Sequence, residues 1–161
     1  MPEPRLRHAA RAVVLDEADR VLLCRFALPG RNVWATPGGG VEAGESPTQA
    51  LRRELREEIG LPLADTPPRV WHRRVLAAGH ARGYDGIVED YYLVRTPPFD
   101  PAGALTPQEL AAENIAEFRW WTIPDIAAYE GPDLFAPRGL PALLTALLKD
   151  GVPLEPVELG L

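Results

Sequence analysis

Apolar, largely β-branched runs occupy residues 8–16 and 20–26, and the polar stretch Asp16, Glu17, Ala18, Asp19 separates them. That pattern predicts a β-hairpin. Residues 28–33, with Pro29 and Gly30, predict a loop. From Pro47 the period changes: Leu51, Leu55 and Ile59 recur every four residues. A helix is therefore expected over about 47–59, with Ser46 as its N-cap, Pro47 at the first helical position and Gly60 as its stop. Pro62, Pro67 and Pro68 mark a further loop, and residues 69–78 and 87–95 predict two strands around a turn at 80–86. Residues 117–122 predict another short strand, and 123–130 and 140–149 predict helices. On the last of these Leu140, Leu143, Leu144, Leu147 and Leu148 form an apolar stripe, which serves as core or as a homodimer contact. The proline-rich tail after Gly151 predicts an extended surface segment. With no internal repeat, these elements fit one mixed sheet between helices, a single α/β domain over residues 1–161.

The most informative charges lie on the expected helix. Residues 39–61 read GGVEAGESPTQALRRELREEIGL, and Glu54, Glu57 and Glu58 stand at i, i+3 and i+4, away from the leucine face. Like charges at that spacing destabilise a helix by about 0.2–0.5 kcal/mol per pair, so the patch calls for a compensating cation. Arg52, Arg53 and Arg56 supply part of it, and a hard divalent ion supplies it better. A Glu/Arg-rich helix face on its own is more often a solvated surface. The upstream run Pro37, Gly38, Gly39, Gly40 reverses that preference, because glycine lets backbone approach a ligand closely and brings a carbonyl, that of Gly38, within reach of an ion. Mg²⁺ and Mn²⁺ suit such an oxygen-rich set, Mg²⁺ in particular sharing its shell with waters and substrate phosphates.

The spacing of this segment is Gly39, five residues, Glu45, seven residues, then Arg53, Glu54, Leu55, one residue, Glu57, Glu58, one residue, Gly60 and Leu61. In this the chain resembles the Nudix hydrolases, without departure from their signature, over approximately residues 8–130. The resemblance implies an α/β/α sandwich around a mixed sheet and a Mg²⁺- or Mn²⁺-dependent pyrophosphohydrolase acting on a nucleoside diphosphate linked to another moiety. It implies Glu57 and Glu58 as central metal ligands, and Glu54 as a ligand or as the base that orients water. Arg53 would hold a glutamate of the site through its planar fork, and Glu45 would position Arg53 or ligate a further ion. A later carboxylate often completes such sites. Glu117 or Glu113 is the candidate, against an equally common role as an exposed loop acid. Arg25, Arg11 and Arg31 are candidates for substrate phosphates. Trp34, Phe26, Tyr84 and Trp120 are candidates for stacking on a base, although aromatics in a strand-rich domain more often pack in the core.

The chain of 161 residues is 46% apolar and 25% charged, enough for one buried core. Its formal charge of −6 argues against nucleic acid as a partner and leaves a small-molecule nucleotide as the expected one. No segment reaches the roughly 18 apolar residues of a membrane span, and no basic segment followed by an apolar stretch opens the chain, so a cytoplasmic location is expected. Cys24 is the one cysteine, sits in a strand pattern, and reads as buried structure. His8, His72 and His80 lack metal-ligand spacing. Two other readings come from different classes. A sensor module that binds a nucleotide without cleaving it would be expected to lack box glutamates, and this chain keeps them all. A diphosphate isomerase would need a cysteine in a context that Cys24 does not have. Subgroups acting on ADP-ribose or dinucleoside polyphosphates often place Pro or Tyr about fifteen to eighteen residues past the box, and residues 76–79 hold neither. A nucleoside triphosphate or similar small nucleotide is the resulting expectation.

Overall fold

The computed structural model describes residues 3–77, 79 and 81–160. Strands β1 (Leu6–Leu15) and β2 (Val21–Leu28) form the expected antiparallel hairpin, with Leu15 opposite Val21. Asp16 closes its turn: one carboxylate oxygen accepts the amides of Ala18 and Arg20 at 2.9 Å each, the other the Arg20 Nε at 2.7 Å. Where a loop was expected at 28–33, the chain makes a tight turn at Pro29–Gly30 and returns as β3 (Arg31–Ala35), with Leu28 opposite Arg31. The polar Arg31 and Asn32 hide that strand from a hydrophobicity pattern.

The remaining elements are β4 (Gly38–Gly40), α1 (Pro47–Glu58), β5 (Arg69–Val75), β6 (Gly86–Arg95), α2 (Pro107–Ala112) and β7 (Ile115–Trp121). They are followed by α3 (Ile123–Ala127), β8 (Leu134–Ala136), α4 (Leu140–Asp150) and β9 (Val157–Leu159). Strand β5 stops three residues short of the expected 78, and residues 78 and 80 of the expected turn lie outside the described residues. The expected tail segment docks in parallel beside β5 as β9. Helix α2 was unexpected because it buries no residue and so has no apolar period. Its signal is the capping box Thr106-Pro107-Gln108-Glu109, in which Thr106 and Glu109 exchange side-chain bonds to each other's amides at 3.1 and 3.0 Å.

The described strands form one mixed sheet ordered β8-β3-β2-β1-β6-β5-β9, with β4 paired to β1 and β7 to β2. Successive strand residues point to opposite faces. Val13 and Leu15 of β1 therefore pack with Ile126, Leu140, Leu144 and Leu147 of α3 and α4, while Ala10, Ala12 and Val14 pack with Leu51 and Leu55 of α1 and with Ile59 at its C-cap. The result is an α/β/α arrangement. Burial of both faces explains why β1 and β2 read as continuous apolar runs rather than as alternations. The leucine stripe of α4 faces this core, Leu143 and Leu148 packing at its margin, and Cys24 is fully buried as expected. Leu55 is completely buried. Leu55→Ala is therefore expected to destabilise the fold by about 2–5 kcal/mol, read from the midpoint of urea unfolding.

Two local devices fix α1 relative to the sheet. Ser46 and Gln49 form a reciprocal capping box, with Pro47 at the first helical position. At the other end, the carbonyls of Arg56, Glu57 and Ile59 accept the amides of Ala104, Leu105 and Ala102 at 3.0–3.2 Å. Those bonds satisfy carbonyls that a helix end leaves open and lay the 102–105 segment against α1. The chain then runs through α2 back toward the acidic face. Among the described residues no helix is long and apolar enough to cross a membrane.

Candidate active site

Strand β4 runs antiparallel to β1, with Gly38, Gly39 and Gly40 opposite Arg11, Ala10 and Ala9. This brings the glycines under the acidic face of α1. Gly38 holds φ +137°, where a side chain is strained, and a Cβ there would strike the backbone of Ala10. A Cβ on Gly39 would lie 2.5 Å from Glu54 Oε1. The glycines thus let backbone and carboxylates touch. The Gly38 amide donates to Glu58 Oε1 at 2.9 Å. Gly38 thus engages Glu58 through its N–H, a bond that leaves the expected role of its carbonyl toward an ion untouched.

Glu54 and Glu58 are buried, and Glu113, at the C-terminal end of α2, joins them: the three offer carboxylate oxygens that all lie within 4.8 Å of one another. Glu117, the residue favoured from sequence, is exposed on β7 opposite Arg25 and stands outside this group. The reason is the turn after α2, where Asn114 takes a positive φ of 66° and the chain starts a new strand, separating the directions of Glu113 and Glu117. Glu57 is half-buried beside the group, 3.5 Å from Arg53 Nη1.

Arg53 organises the cluster. Its Nε and Nη2 donate to both oxygens of Glu45 at 2.8 and 2.9 Å, Nη2 also to the Gly40 carbonyl at 3.0 Å, and Nη1 to Glu54 Oε1 at 2.9 Å. Glu45 is the partner gripped by the fork, as the planar guanidinium favours. The hydrogen bond from Arg53 holds the Glu45 carboxyl down to about 2. Inside the cluster the balance is opposite. Burial, followed by the neighbouring charge of Glu54, pushes the Glu58 carboxyl up to about 8 despite the Gly38 bond. Burial also raises Glu54, against the pull of Arg53. Three oxygen donors crowded together and short of positive charge are what a hard divalent ion requires.

The expected substrate residues are placed differently. Trp34 is only 3% exposed, with its ring edge-on to Trp121 at 5.2 Å, so neither face is open to a base. Its Nε1 and the Arg25 Nε both donate to Asp133 at 3.0 Å, so Arg25 is held in an ion pair beside Trp34. Asp133 was not legible because it is distant in sequence from both partners. Trp120 donates to the Phe99 carbonyl and packs edge-on to that ring, and Tyr84 lies under Arg5. Arg11 is joined to Glu89 at 2.6 Å and, through Nη1, to the Thr36 carbonyl at 3.3 Å. It lines a cavity together with Phe26.

The model of the NUDIX domain matches residues 5–140. The chain is 36% identical over 116 residues to the nucleoside triphosphatase NudI of Escherichia fergusonii, an alignment covering 68% of this chain and 77% of that protein. It is 53% identical over 53 residues to the RNA pyrophosphohydrolase of Halorhodospira halophila, covering 33% of this chain and 28% of that one. The chain thus spans less than a third of the latter relative. The fold is also that of the Nudix domain of Shewanella oneidensis NrtR, solved in complex with ADP-ribose, with a TM-score of 0.67 at 19% identity over 91% of this chain and 90% of that one. With the family pattern matched along most of its length and the signature residues gathered at one acidic cluster, the chain belongs to the Nudix hydrolase family.

Proposed function

We propose that the chain is a metal-dependent pyrophosphohydrolase that cleaves the diphosphate of a nucleoside triphosphate or a related small nucleotide. The observation that carries this reading is the convergence of Glu54, Glu58 and Glu113 beneath glycine backbone, in a cluster with a deficit of positive charge. A Mg²⁺ or Mn²⁺ ion bound there supplies charge neutralisation on phosphate oxygens and a more acidic water. Glu58 is the ligand fixed by the Gly38 amide, and Glu113 closes the set from α2. Glu57, drawn in by Arg53, adds an oxygen on the solvent side, where substrate enters. Glu54 is the ligand or orienting base nearest Arg53, and burial brings its proton affinity closer to neutral pH, as a base requires. Arg53 fixes the positions of Glu54 and Glu57, and Glu45 fixes Arg53. The relative named a nucleoside triphosphatase supports the substrate class.

Incubation with Mg²⁺ or Mn²⁺ and a panel of nucleoside triphosphates, nucleotide sugars, ADP-ribose and dinucleoside polyphosphates tests this. Metal-dependent turnover of triphosphates, lost in Glu57→Gln, is the expected outcome. Tight nucleotide binding with no turnover of any compound would instead identify a sensor module. For the third carboxylate, Glu113→Gln is expected to weaken Mn²⁺ binding by about 10-fold or more, while Glu117→Gln leaves it unchanged. Electron paramagnetic titration of free Mn²⁺ separates the two, and equal effects would remove Glu113 from the site.

A further inference from the structure

Beside the acidic cluster lies a cavity of about 280 Å³ whose walls are apolar, with Phe26, Leu28 and Val33 among them. Its polar end is formed by Thr36, Arg11, Glu89, Arg73 and Tyr91. It is smaller than pockets that take whole drug-sized ligands, and its size suits a single heterocycle. Thr36 is two residues before Gly38, and Arg11 is the register partner of Gly38, so the cavity adjoins the amide that holds Glu58. A phosphate chain at the cluster would therefore leave its base within reach of this cavity.

Two features of the polar end bear on what the cavity can hold. The Thr36 side chain is 0% exposed, and its Oγ1 has no hydrogen-bond partner among the described residues. A buried hydroxyl left unpaired weakens the folded state, and a valine would fill the same space without that penalty. Glu89 is also gripped from both sides, Oε2 by Arg11 Nε at 2.6 Å and Oε1 by Arg73 Nη1 at 3.0 Å. Each guanidinium has five N–H donors. Arg11 spends two of its groups on Glu89 and the Thr36 carbonyl, and Arg73 two on Glu89 and the Gly160 carbonyl, so donors remain on both. The arrangement is a row in which donor, acceptor and donor alternate, with a net charge of +1.

We infer that this cavity receives the base of the substrate and that Arg11, Glu89 and Arg73 read an imide edge, carbonyl, N–H, carbonyl, with the Thr36 hydroxyl as an additional partner. Uracil and thymine present that edge. Cytosine, of the same size, presents an acceptor in place of the N–H and an amino donor in place of one carbonyl, so it meets the row with two mismatches. The inference rests on the nucleotide reading of the site, and it adds the class of base.

The test measures binding apart from hydrolysis. The α,β-imido analogues of UTP and CTP are titrated calorimetrically into the full chain with Mg²⁺, and turnover of UTP and CTP is followed alongside. The uracil analogue is expected to bind at least about tenfold more tightly, since sites built on buried polar groups reject ligands that leave those groups unpaired. Thr36→Val is expected to lose about fivefold in affinity for the uracil analogue while unfolding at the same or higher urea concentration, a combination that a purely structural hydroxyl would not give. Arg73→Met, at a half-buried position, is expected to shrink the preference between the two analogues. Equal affinities, absence of binding, or a Thr36→Val chain that binds like the wild type would each overturn the inference. Selective binding without turnover would uphold the cavity and overturn the hydrolase reading. Turnover of both triphosphates at the same kcat/KM would do the reverse.

Discussion

Glu58→Gln is expected to reduce turnover by about 10³-fold while making the metal-free chain more stable above neutral pH. The two effects have one cause. Burial raises the Glu58 carboxyl to about 8, whereas in the unfolded chain it returns to the ordinary range near 4.5. Between these values the folded, metal-free chain holds a proton that the unfolded chain has released. Stability from this group is therefore fully present below about pH 4.5 and is lost as pH rises through 8, a decline on the order of a few kcal/mol. Glutamine imitates the protonated acid, keeps an acceptor for the Gly38 amide, and has no proton to lose. Urea midpoints in the presence of a chelator, taken at pH 5.5 and pH 8, should fall for the wild type and fall less steeply for the variant, in which Glu54, also raised by burial, still titrates. That window avoids Asp16 and Glu89, which burial alone would raise but which are lowered overall by bonds to Arg20 and to Arg11 and Arg73 respectively. Both are ionised throughout it. Equal slopes in the two proteins would show that Glu58 is not the buried acid responsible. With Mg²⁺ or Mn²⁺ present the wild-type slope should flatten, because the ion takes the place of the proton.

Arg53→Lys is the second large effect expected, about 10²-fold in kcat/KM, with a higher metal requirement and a loss of roughly 2 kcal/mol in stability. The change keeps the charge. What it removes is the fork: the arginine spans both oxygens of Glu45, the Gly40 carbonyl and Glu54 at once. A single ammonium reaches fewer of these, and its hydrated point charge cannot reproduce the planar pair. Glu54 then loses the donor that sets its orientation. Initial rates against Mn²⁺ concentration, with urea unfolding in parallel, check the prediction. A lysine variant with wild-type rates would mean that charge alone, not geometry, organises the cluster.

The parts of the molecule that the sequence made legible share a property: their signals are local. Ser46, Pro47 and the spacing of Leu51, Leu55 and Ile59 lie within one helix, so its start and its buried face followed directly. The bidentate hold of Arg53 was likewise expected within the signature, and Glu45 proved to be its partner. The misses are relations between distant segments or elements without a hydrophobic period. The tie of Trp34 and Arg25, both candidates for substrate contact, to Asp133 went unseen because nothing near them in sequence announces that residue. Glu117 was preferred to Glu113 because choosing between them requires the geometry of the turn at Asn114. Strands β4, β8 and β9 have only three residues each, too few to alternate visibly. Glu89 gave no warning either, since its arginine partners lie 78 and 16 residues away.

The sheet ends in β8 on one side and β9 on the other, each three residues long. Pro137 directly follows the first and Pro156 directly precedes the second. An open sheet edge recruits other chains in proportion to the row of unpaired amides and carbonyls it offers, and a proline interrupts the row because it has no amide hydrogen. The chain thus leaves almost no template at either border for strand-by-strand growth into aggregates. A homodimer that met at either of these two borders would therefore be held by side chains more than by a shared strand.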